Sequence, residues 1–293
     1  MTDPDKTTPD PPGDPSALPP LVELTFDPHR VLRNIFITCL LINLAFFILD
    51  IFLNYKGLAT IGSVRRIFNT AREDGLAGWF AVTQTAMLAL TLWLLFVTAR
   101  QQGGSRWKST GWLVLALFFT YMAADDGAHL HERLGTAFKT LHRGATADES
   151  WGAAVLAVFP SYTWQILFVP VYGAFGLFTL VFLWRELRDR RSKILAAVAL
   201  SCLVVAVGID FLEGLEPTHD LNPYSALADR FGLDWLTTKR YRSPYSALRH
   251  FSKSLEECIE ILGINLLWLV FLGHWFRTAA NLQVRFVRRG GSL

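Results

Sequence analysis

Two stretches of this chain, residues 79–97 and 162–184, carry no charge over 19 and 23 positions. A helix needs roughly 20 apolar residues to cross a bilayer core of about 30 Å, and few soluble folds bury so long an uncharged run. The rest of the chain agrees: 52% of residues are hydrophobic and only 18% charged. The sequence therefore predicts an all-α, polytopic membrane helix bundle. Shorter apolar runs at 35–49, 111–124, 194–209 and 261–276 supply the remaining helices. About six transmembrane helices are expected, near 31–54, 77–99, 109–132, 162–185, 193–215 and 254–277.

Residues 29–279 thus form the transmembrane domain, with short helices expected in the connection 216–253. Residues 1–28 differ, with seven prolines and four aspartates in the first twenty positions. Such a segment buries too little apolar surface to offset its ordering entropy, and it lacks the features of a signal peptide. It is expected to be a disordered tail, and 280–293 a basic one. Cys39, Cys202 and Cys258 offer no disulfide framework or CxxC metal pair. The expected partner is the lipid bilayer, and nothing points to nucleic acid.

The connections alternate in length. The short ones, 100–109 and 185–193, are dense in cations (Arg100, Arg106 and Lys108; Arg185, Arg188, Arg190, Arg191 and Lys193). By the positive-inside rule they are cytoplasmic together with both termini, which makes this an inner (plasma) membrane protein. The long connections then lie on the periplasmic or extracellular side.

The shorter apolar runs have 14 to 16 residues, and each is bounded by acids. Asp50 closes the first, and Asp125 with Asp126 the second, followed by His129, His131 and Glu132. Asp210 and Glu213 close the third, while Glu256, Glu257 and Glu260 precede the last. Helix alternation places all of these on one side of the membrane. Acids inside a bilayer cost on the order of 2.5–3.5 kcal/mol each near its centre, so a shared function is expected. Neutralisation by Arg65, Arg66, Arg72, Arg133, Arg249 or Lys253 is the competing, structural account.

On a continuous helix Asp125, His129 and Glu132 share one stripe, at i, i+4 and i+7. Carboxylates and imidazoles projecting inward from several helices are how bundles build dinuclear metal sites. The expected metal ligands are Asp125, Asp126, His129, His131, Glu132, Glu257 and Glu260, with Glu213 or Glu256 as general base. This donor set suits a divalent metal such as Fe, Mn or Zn. Pro170, Gly173 and Gly176 are expected to mark a kink and close packing in the fourth span. Trp79, Trp107, Trp112, Trp164, Trp184 and Trp275 are expected to form an interfacial belt.

The segment Phe68-Asn69-Thr-Ala-Arg72-Glu73-Asp-Gly-Leu-Ala-Gly-Trp79-Phe80 resembles one found in a family of uncharacterised bacterial multi-pass membrane proteins. Their third span ends in Asp-Glu and then His-Glu, and their last opens with Leu-Glu-Glu-x-x-Glu-x-x-Gly. This chain has Asp125-Asp126, His131-Glu132 and Leu255-Glu256-Glu257-Cys-Ile-Glu260-Ile-Leu-Gly263. It departs from the pattern at Asp126, whose arm is one methylene shorter than Glu. The resemblance implies six spans and groups Glu73, Asp125, Asp126, His131, Glu132, Glu213, Glu256, Glu257 and Glu260, but implies no activity. It favours His131 where the stripe favours His129, and a break near Gly127 would bring His131 round. The leading expectation is a membrane metalloenzyme, hydrolase or di-iron-type oxidase, acting on a lipid, isoprenoid or quinone-like substrate. A cation or proton transporter and an accessory subunit of a membrane complex are the alternatives.

Overall fold

The computed structural model describes residues 27–146 and 149–279, and every regular element among them is helical. The expected basic tail lies outside the described residues, as does the N-terminal tail up to residue 26. Helix α1 (Pro28–Leu49) is capped by Asp27, which accepts from the His29 amide at 2.9 Å, with Pro28 at the first helical position. It runs into a π-helical turn, Asp50–Tyr55. There follow α2 (Gly62–Ile67), α3 (Leu76–Gln101), α4 (Arg106–Ala128), α5 (Leu130–Leu141) and α6 (Trp151–Val158). The chain continues through α7 (Thr163–Glu186), α8 (Arg190–Glu213), α9 (Pro223–Phe231), a 3-10 turn (Leu233–Leu236) and α10 (Pro244–Thr278). The repeated words Asn222-Pro-Tyr-Ser-Ala-Leu and Ser243-Pro-Tyr-Ser-Ala-Leu begin α9 and α10. In each, the first side chain caps the helix and the proline opens it.

Four helical segments among the described residues are long and apolar enough to cross a bilayer: Pro28–Tyr55, Leu76–Gln101, Thr163–Glu186 and Arg190–Glu213. That is compatible with a multi-pass membrane protein. Helix α10 has 35 residues, about 52 Å at 1.5 Å per residue, and forms the axis on which α1, α3 and α8 pack. Gly263 permits the α8 contact, since a Cβ there would lie 3.1 Å from the Ala199 carbonyl oxygen and the Cys202 Cβ.

The core joins Leu88, Leu92 and Leu95 of α3 to Trp112 and Leu115 of α4 and to Leu267 and Phe271 of α10. Trp112 is fully buried, edge-on to Phe182 with ring centres 4.9 Å apart, so it is not a belt residue. Trp79, Trp107 and Trp184 are exposed, as an interfacial belt requires. Helix α7 is continuous through Pro170. A Cβ on Gly173 or Gly176 would meet nothing within 4 Å, so these glycines face open space rather than a neighbouring helix.

The end of the bundle near Glu186 is clipped by ion pairs. Lys108 lies 2.5 Å from Glu186, and Arg277 lies 3.2 Å from Asp189. Threonines accept from tryptophans between helices: Trp268 to Thr91 at 3.1 Å and Trp275 to Thr98 at 3.3 Å, part-buried, and Trp93 to Thr120 at 3.0 Å on the exposed side.

Candidate functional site

At the opposite end, α4 stops one residue short of the expected stripe. His129 adopts φ 51°, ψ 44°, the left-handed conformation, and α5 restarts at Leu130. The break corrects the expectation of one continuous helix carrying Asp125, His129 and Glu132, and lies two residues beyond Gly127. A left-handed residue with a Cβ costs roughly 1–2 kcal/mol, so something must hold it. Asp125, fully buried, bridges the break. It accepts from the His131 amide at 2.8 Å, pairs with His131 Nδ1 at 2.9 Å and accepts from the Tyr172 hydroxyl at 2.7 Å.

The break sends the two histidines to different partners. His131, engaged at Nδ1, packs edge-on to Trp164 with ring centres 4.7 Å apart. His129 pairs through Nδ1 with Glu73, which lies just ahead of α3. The donor atoms of Glu73, His129 and Glu132 all lie within 4.8 Å of one another. Burial and the neighbouring Glu73 charge raise the Glu132 carboxyl above its ordinary value. Burial alone would lower the His131 imidazole, but the Asp125 carboxylate holds it above its usual range.

Helix α10 brings the other acids, and Lys253 stands among them. Its Nζ is 2.9 Å from Glu256, 3.5 Å from Glu257 and 3.5 Å from Asp210. Asp210 also accepts from Gln165 at 2.8 Å. Asp126 accepts from Thr85 at 3.3 Å. Asp50 belongs to a separate, fully buried network, accepting from Asn54 and Ser254 at 2.9 Å each beside His250.

Asp125, Asp126, His131, Glu132, Glu256, Glu257 and Glu260 all line one cavity of about 730 Å³, together with Glu73, Asp210 and Lys253. His129 meets the cavity through Glu73. Glu213 is buried but is not among the lining residues. Beyond this polar end the walls are apolar, from Phe118 and Met122 of α4, Leu177 and Leu180 of α7, Leu200 and Val204 of α8, and Ile261 and Ile264 of α10. Leu177 and Val204 are 63% and 72% exposed, so the cavity opens sideways through the α7–α8 flank.

Sequence spacing pointed to most of these residues. It offered Lys253 only as one of several counter-charges, and it missed Gln165 and Tyr172 on α7. The i, i+3 and i+4 spacing of Lys253, Glu256 and Glu257 was the available signal for the shared cation. Nothing local marks Gln165 or Tyr172, because their contacts are set by how α7 leans on α4 and α8.

A helical bundle with candidate membrane spans and a carboxylate-rich cavity at one end is the class of protein the fold and site define. Residues 34–275 match the family described as a domain of unknown function, DUF8692, and the chain belongs to that family. No curated protein and no solved structure matches the chain.

Proposed function

We propose that this chain is a six-span inner-membrane protein whose acid-rich end faces the periplasm or cell exterior. In this reading it is a metal-dependent enzyme acting there on a lipid-like substrate. Helices α4 and α10 complete the span count, adding to the four apolar segments. The cation-dense connections, with Arg106, Lys108, Arg188 and Arg190, then lie in the cytoplasm with both termini.

Glu73, His129 and Glu132 would hold a divalent metal, Fe, Mn or Zn. Two carboxylates and an imidazole suit these ions, and three protein ligands leave positions open. A metal so placed supplies Lewis acidity and lowers the pKa of bound water. Of the two carboxylates expected as base, Glu256 lines the cavity and Glu213 does not, which supports Glu256 in that role. Asp125 and Tyr172 fix the His131 ring against Trp164, leaving its second nitrogen for the substrate or the metal. Asp126, Glu257 and Glu260 border the substrate head.

The observation that carries this reading is the continuity of the cavity. A single space joins the carboxylate/histidine end to an apolar slot open at the bundle flank, as a substrate arriving from the bilayer requires. The transporter reading needs a polar path onward, for which the buried, uncharged Gln84, Thr91, Thr98 and Asn265 are the candidates among the described residues.

Metal content of the purified full chain tests the proposal. Stoichiometric metal in the wild type, lost in Glu132→Ala and His129→Ala, is expected. A wild type free of metal after expression in Fe-, Mn- and Zn-supplemented medium refutes it.

A further inference from the structure

The charges of the cavity narrow what it can take, given the lateral-entry reading above. Its volume of about 730 Å³ is in the range of small-molecule sites, about 300–1,000 Å³, and fits one slender amphiphile better than a two-chain phospholipid. The cationic groups among its lining residues are Lys253 and His131. Both are held already, Lys253 by Asp210, Glu256 and Glu257, and His131 by Asp125. Asp126, Glu132 and Glu260 face the same space, and neither Glu132 nor Glu260 accepts a hydrogen bond among the described residues. A phosphate or carboxylate head would find acids there and no free cation among the described lining residues. A divalent metal at Glu73, His129 and Glu132 would still leave Asp126 and Glu260 without a counter-charge.

We infer that the cavity takes a long-chain amine, a single-tailed amphiphile whose ammonium head sits among Asp126, Glu257 and Glu260. Its tail runs between α7 and α8. Gly173 and Gly176 keep that slot open, because neither position has a neighbour within 4 Å of where a Cβ would project. Opposite charge at the head selects among ligands that share the same tail, since like-charge contacts suppress the wrong partner.

Photo-crosslinking tests this in the full chain, reconstituted in phosphatidylcholine nanodiscs. Three probes share a diazirine-bearing hexadecyl tail and differ in the head: amine, hydroxyl or phosphate. The amine probe is expected to label α7 and α8 peptides at least about tenfold more than the phosphate probe, a factor worth about 1.4 kcal/mol. The doubly neutralised variant Asp126→Asn/Glu260→Gln is expected to lose that preference. Gly176→Trp, with Gly173→Leu as a second plug, is expected to abolish labelling by all three probes at unchanged helical content. Equal labelling by the amine and either other head overturns the amine assignment and leaves lateral entry standing. Absence of wall labelling with every probe, or labelling that survives both plugs, overturns both.

Discussion

Asp125→Asn isolates the device that holds α4 and α5 at their break. The carboxylate accepts three hydrogen bonds, from the His131 amide, His131 Nδ1 and the Tyr172 hydroxyl, at 2.7–2.9 Å. Hydrogen bonds to a charged group are worth about 1.5–3 kcal/mol, and neutral ones about 0.5–1.5. Asparagine keeps one acceptor oxygen and puts a donor NH2 where the other oxygen accepted, so all three bonds are weakened or lost, at about 1 kcal/mol or more per bond and about 3 kcal/mol over the three. Relief from burying a charge offsets part of this, leaving a net loss of about 1–3 kcal/mol. A double-mutant cycle removes that ambiguity. Tyr172→Phe should cost about 1.5–3 kcal/mol in the wild type and about 0.5–1.5 kcal/mol in the Asp125→Asn background, a coupling of about 1 kcal/mol. Stability is read by denaturant titration of the solubilised chain, with limited proteolysis reporting opening near residue 129. Additivity within about 0.3 kcal/mol would refute the bridging role.

His129→Gly should separate fold from function. Glycine adopts φ 51° freely, so stability should change by less than about 1 kcal/mol while bound metal is lost; unfolding titration and metal analysis on one preparation check both. Lys253→Met should destabilise by about 3–5 kcal/mol, because it strands buried acids that the lysine serves. Adding Glu256→Gln and Glu257→Gln should restore part of that loss in the same titration. The Glu132 carboxyl is raised above its ordinary value, so protons compete with metal over a higher pH range than at an ordinary glutamate. Metal affinity, measured by calorimetry, should rise with pH through that range and then level off. The metal-free protein should move the opposite way, gaining stability from this group as pH falls through the same range.

What was legible in the sequence follows from what is local. Uncharged runs and N-caps such as Asp27-Pro28 and Ser243-Pro244 act over a few residues and could be read directly. The grouping of acids at one end needed only helix alternation. A break near Gly127 was suggested only by the family resemblance, and its place at His129 was not legible, because a left-handed histidine carries no signature of the kind a glycine would. Periodicity arguments assume the helix continues, and so they put Asp125, His129 and Glu132 on one stripe. Glu73 entered through the family resemblance; its approach to His129 depends on the loop before α3 folding back. The cavity was invisible for a related reason. Gly173 and Gly176 read as contact glycines, yet whether a small residue admits a neighbour or leaves a gap is decided by a helix elsewhere in the chain.

The acids of this end divide by what the fold asks of them. Asp50 is consumed by Asn54 and Ser254, Asp125 by His131 and Tyr172, and Asp210 by Gln165 and Lys253. These would be retained in a protein that bound nothing, since each satisfies buried donors that would otherwise be orphaned. Glu132 and Glu260 make no such bond among the described residues, and Glu257 has only the far edge of the Lys253 fan, at 3.5 Å. Mutual repulsion among these groups makes them a cost to the empty fold. A structural network accounts for the first set and gives no reason for the second. A cation, whether a metal at Glu73, His129 and Glu132 or an ammonium head beside Glu260, would turn that cost into binding energy. Neutralising the second set should therefore stabilise the ligand-free protein while weakening binding, and neutralising the first set should destabilise it.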